Sequence, residues 1–254
     1  MSDEELLIWN QKGLIPGPGE SEEAFRQRIE GVEGDGLPRE HWELAREQLK
    51  ELFDFEPGCL KAFYSNEKLT PWQGAACWIE GGHSVLQLRE GFRKGRYLGI
   101  YRREEVLAHE AVHAARAAFQ ETENEEFFAF ATARERWRRV LGPIVRRPWE
   151  VWLLGVWGLG GIWDGFTWIG AGVVSLGFCR LIRQHWRLRR AAETLLKRVG
   201  EPKRARAILF RMTDEEVRKL ARGEWVEGDE TLRWRLIRKA YMMNGFKESL
   251  WQKK

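Results

Sequence analysis

Three different spacings of apolar residues divide the chain. From Pro38 to Phe53, Trp42, Ala45, Leu49, Leu52 and Phe53 recur at helical spacing among charged neighbours, which predicts a helix with one buried face. Three short runs of strand character follow, Ala75 to Ile79, Val85 to Leu88 and Tyr97 to Tyr101, with Gly81-Gly82 as a turn and Gly95 before the third. They predict a small sheet that feeds directly into a helix around Val106 to Ala115. Upstream, Ser2 and Glu5 form a capping-box pattern for a short helix through Trp9, which the run from Gly13 to Gly19 ends. Ser21 caps a second helix through about Ile29, and the stretch Gly31 to Gly36 reads as a loop. At the other end, Ala191 to Val199, Lys203 to Phe210, a segment opened by Thr213 and Glu216, and Thr231 to Tyr241 all have the pattern of amphipathic helices.

The order of elements predicts an α+β protein: a small sheet packed on helices, then an apolar helical hairpin, then C-terminal helices. Four regions are expected, at residues 1–37, 38–141, 148–182 and 183–254. The third is set apart by composition. Val151 to Cys179 carries no charge except Asp164, and it is longer than the roughly 20 residues that cross a bilayer. Arg146, Arg147, Arg183 and Arg187 flank it, and Trp163 and Trp168 bracket Asp164-Gly165 near its middle. Basic residues on both flanks predict a membrane hairpin with both ends, and the lobe at 38–141, on the cytoplasmic side, and with membrane lipid as a partner. One tilted span, a re-entrant hairpin and a buried helical hairpin, which its many glycines allow, are the alternatives.

Charge narrows the partners. With 42 basic and 38 acidic residues among 254, the net charge of +4 implies no nucleic-acid partner, and the basic run Arg180 to Arg190 is accounted for by the apolar segment beside it. Cys59, Cys77 and Cys179 are widely spaced and odd in number, as expected of free thiols. Met1 to Glu5 is acidic and lacks the apolar core of a secretory signal. Neither a phosphate-binding glycine loop nor an internal repeat is present.

The chemistry concentrates in Val106 to Ala115, which contains His109, Glu110 and His113 in the spacing His-Glu-x-x-His. On a helix this places two imidazoles one turn apart on one face, where they can chelate a metal ion. Glu110 lies about a third of a turn away, in reach of a metal-bound water rather than of the metal, which makes it a candidate general base. Such a pattern can also be a surface Glu–His pair. Here Ala108, Ala111, Val112, Ala114 and Ala115 make the helix apolar nearly all round, and buried His and Glu require partners.

In this helix the chain resembles the zincin metallopeptidases, whose motif wants uncharged residues around and between the histidines and no proline. The resemblance covers the motif helix and its immediate neighbours. It implies a zinc ion, a third protein ligand, and hydrolysis of peptide bonds in a peptide or protein substrate through zinc-bound water activated by Glu110. It also implies a strand beside the site that pairs with the substrate backbone, for which Tyr97 to Tyr101 is the candidate by position. In the gluzincin branch the third ligand is a Glu on the next helix, often within Glu-x-x-Ala, and Glu126-Phe-Phe-Ala129 resembles that pattern. The gap from His113 is shorter than most gluzincins leave, so a wide loop or crossed helices must close it. Glu125, Glu123 and Glu135 remain open as alternatives to Glu126, and an acidic helix start favoured by the helix dipole is the plain reading of the cluster. Arg116 is expected to orient one of these glutamates. His41, His83 and His185 lie in charged or turn contexts and are read as non-ligands. Two other readings of the whole chain stand beside the enzyme: a membrane-tethered scaffold with a structural or vestigial metal site, and a metal-free helical interaction protein.

Overall fold

A computed structural model describes residues 1–30, 37–70, 73–80, 83–144, 167–226 and 228–242. The first two helices, α1 (Asp3–Gln11) and α2 (Glu22–Ile29), start where Ser2 and Ser21 accept the backbone N–H of Glu5 and Ala24. Helix α3 (Glu43–Phe53) buries Ala45, Leu49 and Phe53, the face its sequence period predicts, and ends at Asp54 in a left-handed conformation. Then come β1 (Lys61–Tyr64), β2 (Ala75–Glu80) and β3 (His83–Leu88). β3 is central: it pairs in parallel with β1 and antiparallel with β2, so β2 forms one edge of the sheet. β1 has too short and mixed a sequence to signal itself, and sequence reasoning missed it.

The run Tyr97 to Tyr101 is not one strand. Leu98 and Gly99 have φ of 52° and 72°, which folds the segment into a hairpin of β4 (Arg96–Tyr97) and β5 (Tyr101–Arg102). Helix α4 (Arg103–Arg116) follows at once. Glu104 and Glu105 in its first turn complement the helix dipole, and Ala108, Ala111, Ala114 and Ala115 let it lie close to its neighbours. It packs across β2 and β3 on one side and against α3 on another. After a 3₁₀ turn at Ala117–Phe119, Gln120 takes a left-handed φ of 53° and turns the chain toward α5 (Glu125–Ala131) and α6 (Arg136–Leu141).

The C-terminal part begins with α7 (Thr167–Val199), followed by α8 (Pro202–Phe210), α9 (Asp214–Ala221) and α10 (Leu232–Ile237). A single apolar core runs through residues of nearly every helix and of the sheet, from Leu6 and Phe25 through Leu49, Leu86, Ala111 and Phe128 to Phe210, Val217 and Trp234. The overall class is therefore α+β, as the order of elements predicts.

The membrane expectation is overturned. Among the described residues no helix is long and apolar enough to cross a membrane, which overturns the expected transmembrane helix and the membrane location built on it; residues 148–166 of the expected hairpin lie outside the described residues. α7 shows why: its apolar portion, residues 167–179, spans about 20 Å against a hydrocarbon core of about 30 Å. From Arg180 onward the same helix carries arginines and packs against α8 and α9. The expected hairpin turn at Asp164-Gly165 lies outside the described residues, as do the loop at Gly31 to Gly36 and the Gly81-Gly82 turn.

Candidate metal centre

Helix α4 presents His109 and His113 one turn apart, and their Nε2 atoms lie 3.3 Å from each other. Glu126, the second residue of α5, reaches both. Its Oε2 lies 3.8 Å from His109 Nε2 and its Oε1 lies 3.7 Å from His113 Nε2. One ligand atom from each of the three residues falls within 4.8 Å of the others, a group that could hold a metal ion. The short link from His113 is closed by the 3₁₀ turn and the left-handed Gln120. These re-aim the chain so that the start of α5, not its middle, faces the histidines. A tight antiparallel hairpin would have placed Phe130 level with His113. Instead the Phe130 ring stands edge-on to His109, with centroids 4.8 Å apart.

The other carboxylates take different places. Glu125 Oε1 lies 2.6 Å from His113 Nδ1, which fixes that ring and leaves its Nε2 facing Glu126 and His109. Glu123 pairs with Arg187 at 3.4 Å, and Glu135 is the exposed N-cap residue of α6. Arg116 does not orient a glutamate of the cluster. It is fully buried, donates to the carbonyls of Phe210 and Met212, and approaches Glu121 at 3.7 Å. His41 bonds to the Tyr64 hydroxyl at 3.1 Å, His185 donates to the Val140 carbonyl at 2.9 Å, and His83 opens β3; none of them approaches the cluster.

Burial is the largest influence on the titratable groups of the cluster, and the neighbouring carboxylates come after it. Burial raises Glu110 to about 7, with Glu126 adding to the shift and His113 opposing it. Burial pulls His113 down, but the Glu125 hydrogen bond and the charges of Glu110, Glu126 and Glu125 outweigh it and push the ring up to about 9. His109 is held well below the ordinary range, first by burial and then by the neighbouring His113 and Arg138 charges. It is thus a neutral imidazole, the form that binds metal. Two imidazole nitrogens and one carboxylate oxygen match the three protein ligands of a catalytic zinc, and the surrounding negative charge suits a divalent cation.

The cluster lies on the wall of a cleft of about 620 Å³. His109, Glu110 and Glu126 line one side, and the start of β2 with Tyr97 and Tyr101 lines another. Phe130, Trp137 and Leu141 give the rest an apolar, aromatic surface. Gly142 is required there, because a Cβ at that position would run into the Phe130 ring that rests on His109. Sequence reasoning missed Glu105 and Arg138, an ion pair at 2.8 Å beside the cleft, in which Glu105 also accepts the backbone N–H of Arg134 at 2.8 Å.

The chain matches no protein-family model, no curated protein and no solved structure. The likeness to zincins thus rests on the motif and not on any shown relationship.

Proposed function

We propose that the protein is a zinc-dependent peptidase of gluzincin type, with His109, His113 and Glu126 as the metal ligands and Glu110 as the general base. The observation that carries this reading is the convergence of three suitable ligand atoms within 4.8 Å, with two of the three residues, His109 and Glu126, lining an open cleft. When bound, zinc would supply a Lewis acid that polarises a carbonyl and makes water more acidic. Glu110, raised to about 7, is poised to take a proton near neutral pH and to give it up again. In peptide hydrolysis that carboxylate takes the proton of the attacking water as the new C–O bond forms, and delivers it to the amine nitrogen as the C–N bond breaks. Glu125 holds His113 in one orientation through Nδ1.

A peptide substrate is supported by the edge position of β2, whose approach at Gln73, Gly74 and Ala75 lines the cleft. An extended peptide can add to such an edge by backbone hydrogen bonds. This makes β2, rather than the expected Tyr97–Tyr101 run, the strand beside the substrate. The deciding experiment is the metal content of the purified protein beside that of His113→Ala. Stoichiometric zinc in the first and its loss in the second are expected. Equal zinc in both would remove the foundation of the proposal, and zinc without any peptide hydrolysis would leave a structural metal site.

A further inference from the structure

The link that carries the chain from α4 to α5 is held from outside both helices. Asp214, the first residue of α9, is buried and turns its carboxylate toward that link. Its Oδ2 accepts the backbone N–H of Glu123 at 2.9 Å. Its Oδ1 accepts the backbone N–H of Asn124 at 3.2 Å and the Asn124 side-chain amide at 2.7 Å. The backbone N–H of Asp214 donates in turn to Glu121 at 2.8 Å. Gln184 of α7 donates to the Asn124 side-chain carbonyl, and Arg116, the last residue of α4, donates to the Phe210 and Met212 carbonyls just ahead of α9.

The Asp214 carboxylate has no such task in its own helix. α9 is already capped reciprocally by Thr213 and Glu216. All three hydrogen bonds of the Asp214 carboxylate go to the two residues immediately before Glu125 and Glu126. Those two carboxylates reach the histidines from the first turn of a helix of only 7 residues, so their placement depends on where that helix starts. A constellation of this kind tolerates displacements of only about 0.5 Å before its function suffers.

Resting on the metal reading above, we infer that Asp214 is a positioning residue of the metal centre: it fixes the start of α5 and thereby the ligand Glu126 and the His113 partner Glu125. The C-terminal helices are then part of the site through this carboxylate.

The test is cobalt(II) titration of the full chain, followed by its ligand-field absorption, in the wild type, Asp214→Asn and Glu216→Gln. Asp214→Asn keeps the side chain's size but sets an N–H₂ against backbone donors. Glu216→Gln weakens a second buried carboxylate of α9, one that pairs with Arg233 at 2.8 Å and accepts from Trp234 Nε1 at 2.8 Å, both in α10. Both variants should melt at lower temperature than the wild type. Only Asp214→Asn should weaken cobalt binding, by about 10-fold, the lower end of the range for groups bonded directly to a ligand, because Asp214 acts through the backbone ahead of Glu126. In the metal-free protein it should also speed amide exchange at Glu123 and Asn124. Unchanged cobalt affinity in a folded Asp214→Asn, or an equal loss in Glu216→Gln, would overturn the inference while leaving the metal reading intact. A wild type that takes up no cobalt would overturn the metal reading itself.

Discussion

Two clusters of buried ionic groups, one of arginines and one of histidines and carboxylates, are built to different rules. In the first, Arg116, Arg211 and Arg233 are each almost completely buried. Their guanidinium groups are occupied by carbonyls of Phe53, Ala207, Phe210, Arg211 and Met212, by Asn10, and by Glu216. On the cleft side, His109, His113, Glu110, Glu125 and Glu126 bring three carboxylates to two imidazoles, with the two Nε2 atoms turned to one another at 3.3 Å. The first cluster spends most of its donors on carbonyls and carboxylates of the protein, with Arg116 Nε, Arg211 Nη2 and Arg233 Nε left over among the described residues, whereas the second converges its ligand atoms on a point. Burial alone therefore says little about role, and the direction in which the remaining lone pairs face says more.

The largest expected effect lies on the cleft side. Glu110→Gln keeps size and hydrogen-bonding reach but removes the ability to take a proton. Peptide hydrolysis should fall by about 10²- to 10⁴-fold while zinc content and melting temperature stay close to wild type. Hydrolysis at the wild-type rate would sink the role of Glu110 as base. The matching change in the arginine cluster is Arg233→Ala, which leaves Glu216 without its ion-pair partner. It should cost about 3–5 kcal/mol of stability in urea unfolding, as for other buried pairs broken on one side. A loss below about 1 kcal/mol, the scale of an exposed pair, would show that Glu216 finds water and that the cluster is less closed than described.

A finer pair of substitutions divides the cleft cluster. Glu126→Gln replaces a carboxylate ligand by a poorer amide and should abolish tight zinc binding, whereas Glu125→Gln removes the partner of His113 and should weaken zinc by about 10- to 100-fold. Glu135→Gln, at an exposed position, should change nothing. Zinc dialysis with metal analysis reads all three. Full zinc in Glu126→Gln with loss in Glu125→Gln would exchange the two roles.

The same contrast explains what was legible in the sequence. Periodicity identified α3, and small residues identified α4 as a closely packed helix, because both are local patterns with one dominant period. His109, Glu110 and His113 were legible together because their spacing is a property of one helix, whereas Glu126 came from the resemblance to gluzincins, with Glu125, Glu123 and Glu135 left open. The route that joins them was not legible, since Gln120 in a left-handed conformation breaks the tight hairpin that residue counting assumes. The apolar stretch misled for a related reason. Its composition is that of a membrane segment, but the helix from Thr167 continues without a break into the arginine-rich portion that packs on α8 and α9. Asp214 was invisible because its partners Glu123 and Asn124 stand about 90 residues away in sequence.

The smallest expected effect concerns pH, and its sign separates the metal-free from the zinc-loaded protein. In the metal-free protein His113 is raised from 6.5 to about 9, so its contribution to stability is fully present below pH 6.5 and is lost as pH rises through 9. Glu110, raised from 4.5 to about 7, acts in the same direction at lower pH. His109 is depressed and opposes them, but only below 6.5, where its unfolded form takes up a proton. Between pH 6.5 and 9 the metal-free protein should therefore lose stability, a change on the order of a few degrees in melting temperature. Zinc reverses the trend, because a ligand imidazole must give up its proton, so affinity increases over the same range. The gap between melting temperatures with zinc and with chelator should widen from pH 6.5 to 9. A gap that narrows, or a metal-free protein that gains stability over this window, would mean that His113 does not carry the proton its carboxylate neighbours favour, and that the charge excess read in the cleft cluster is already compensated.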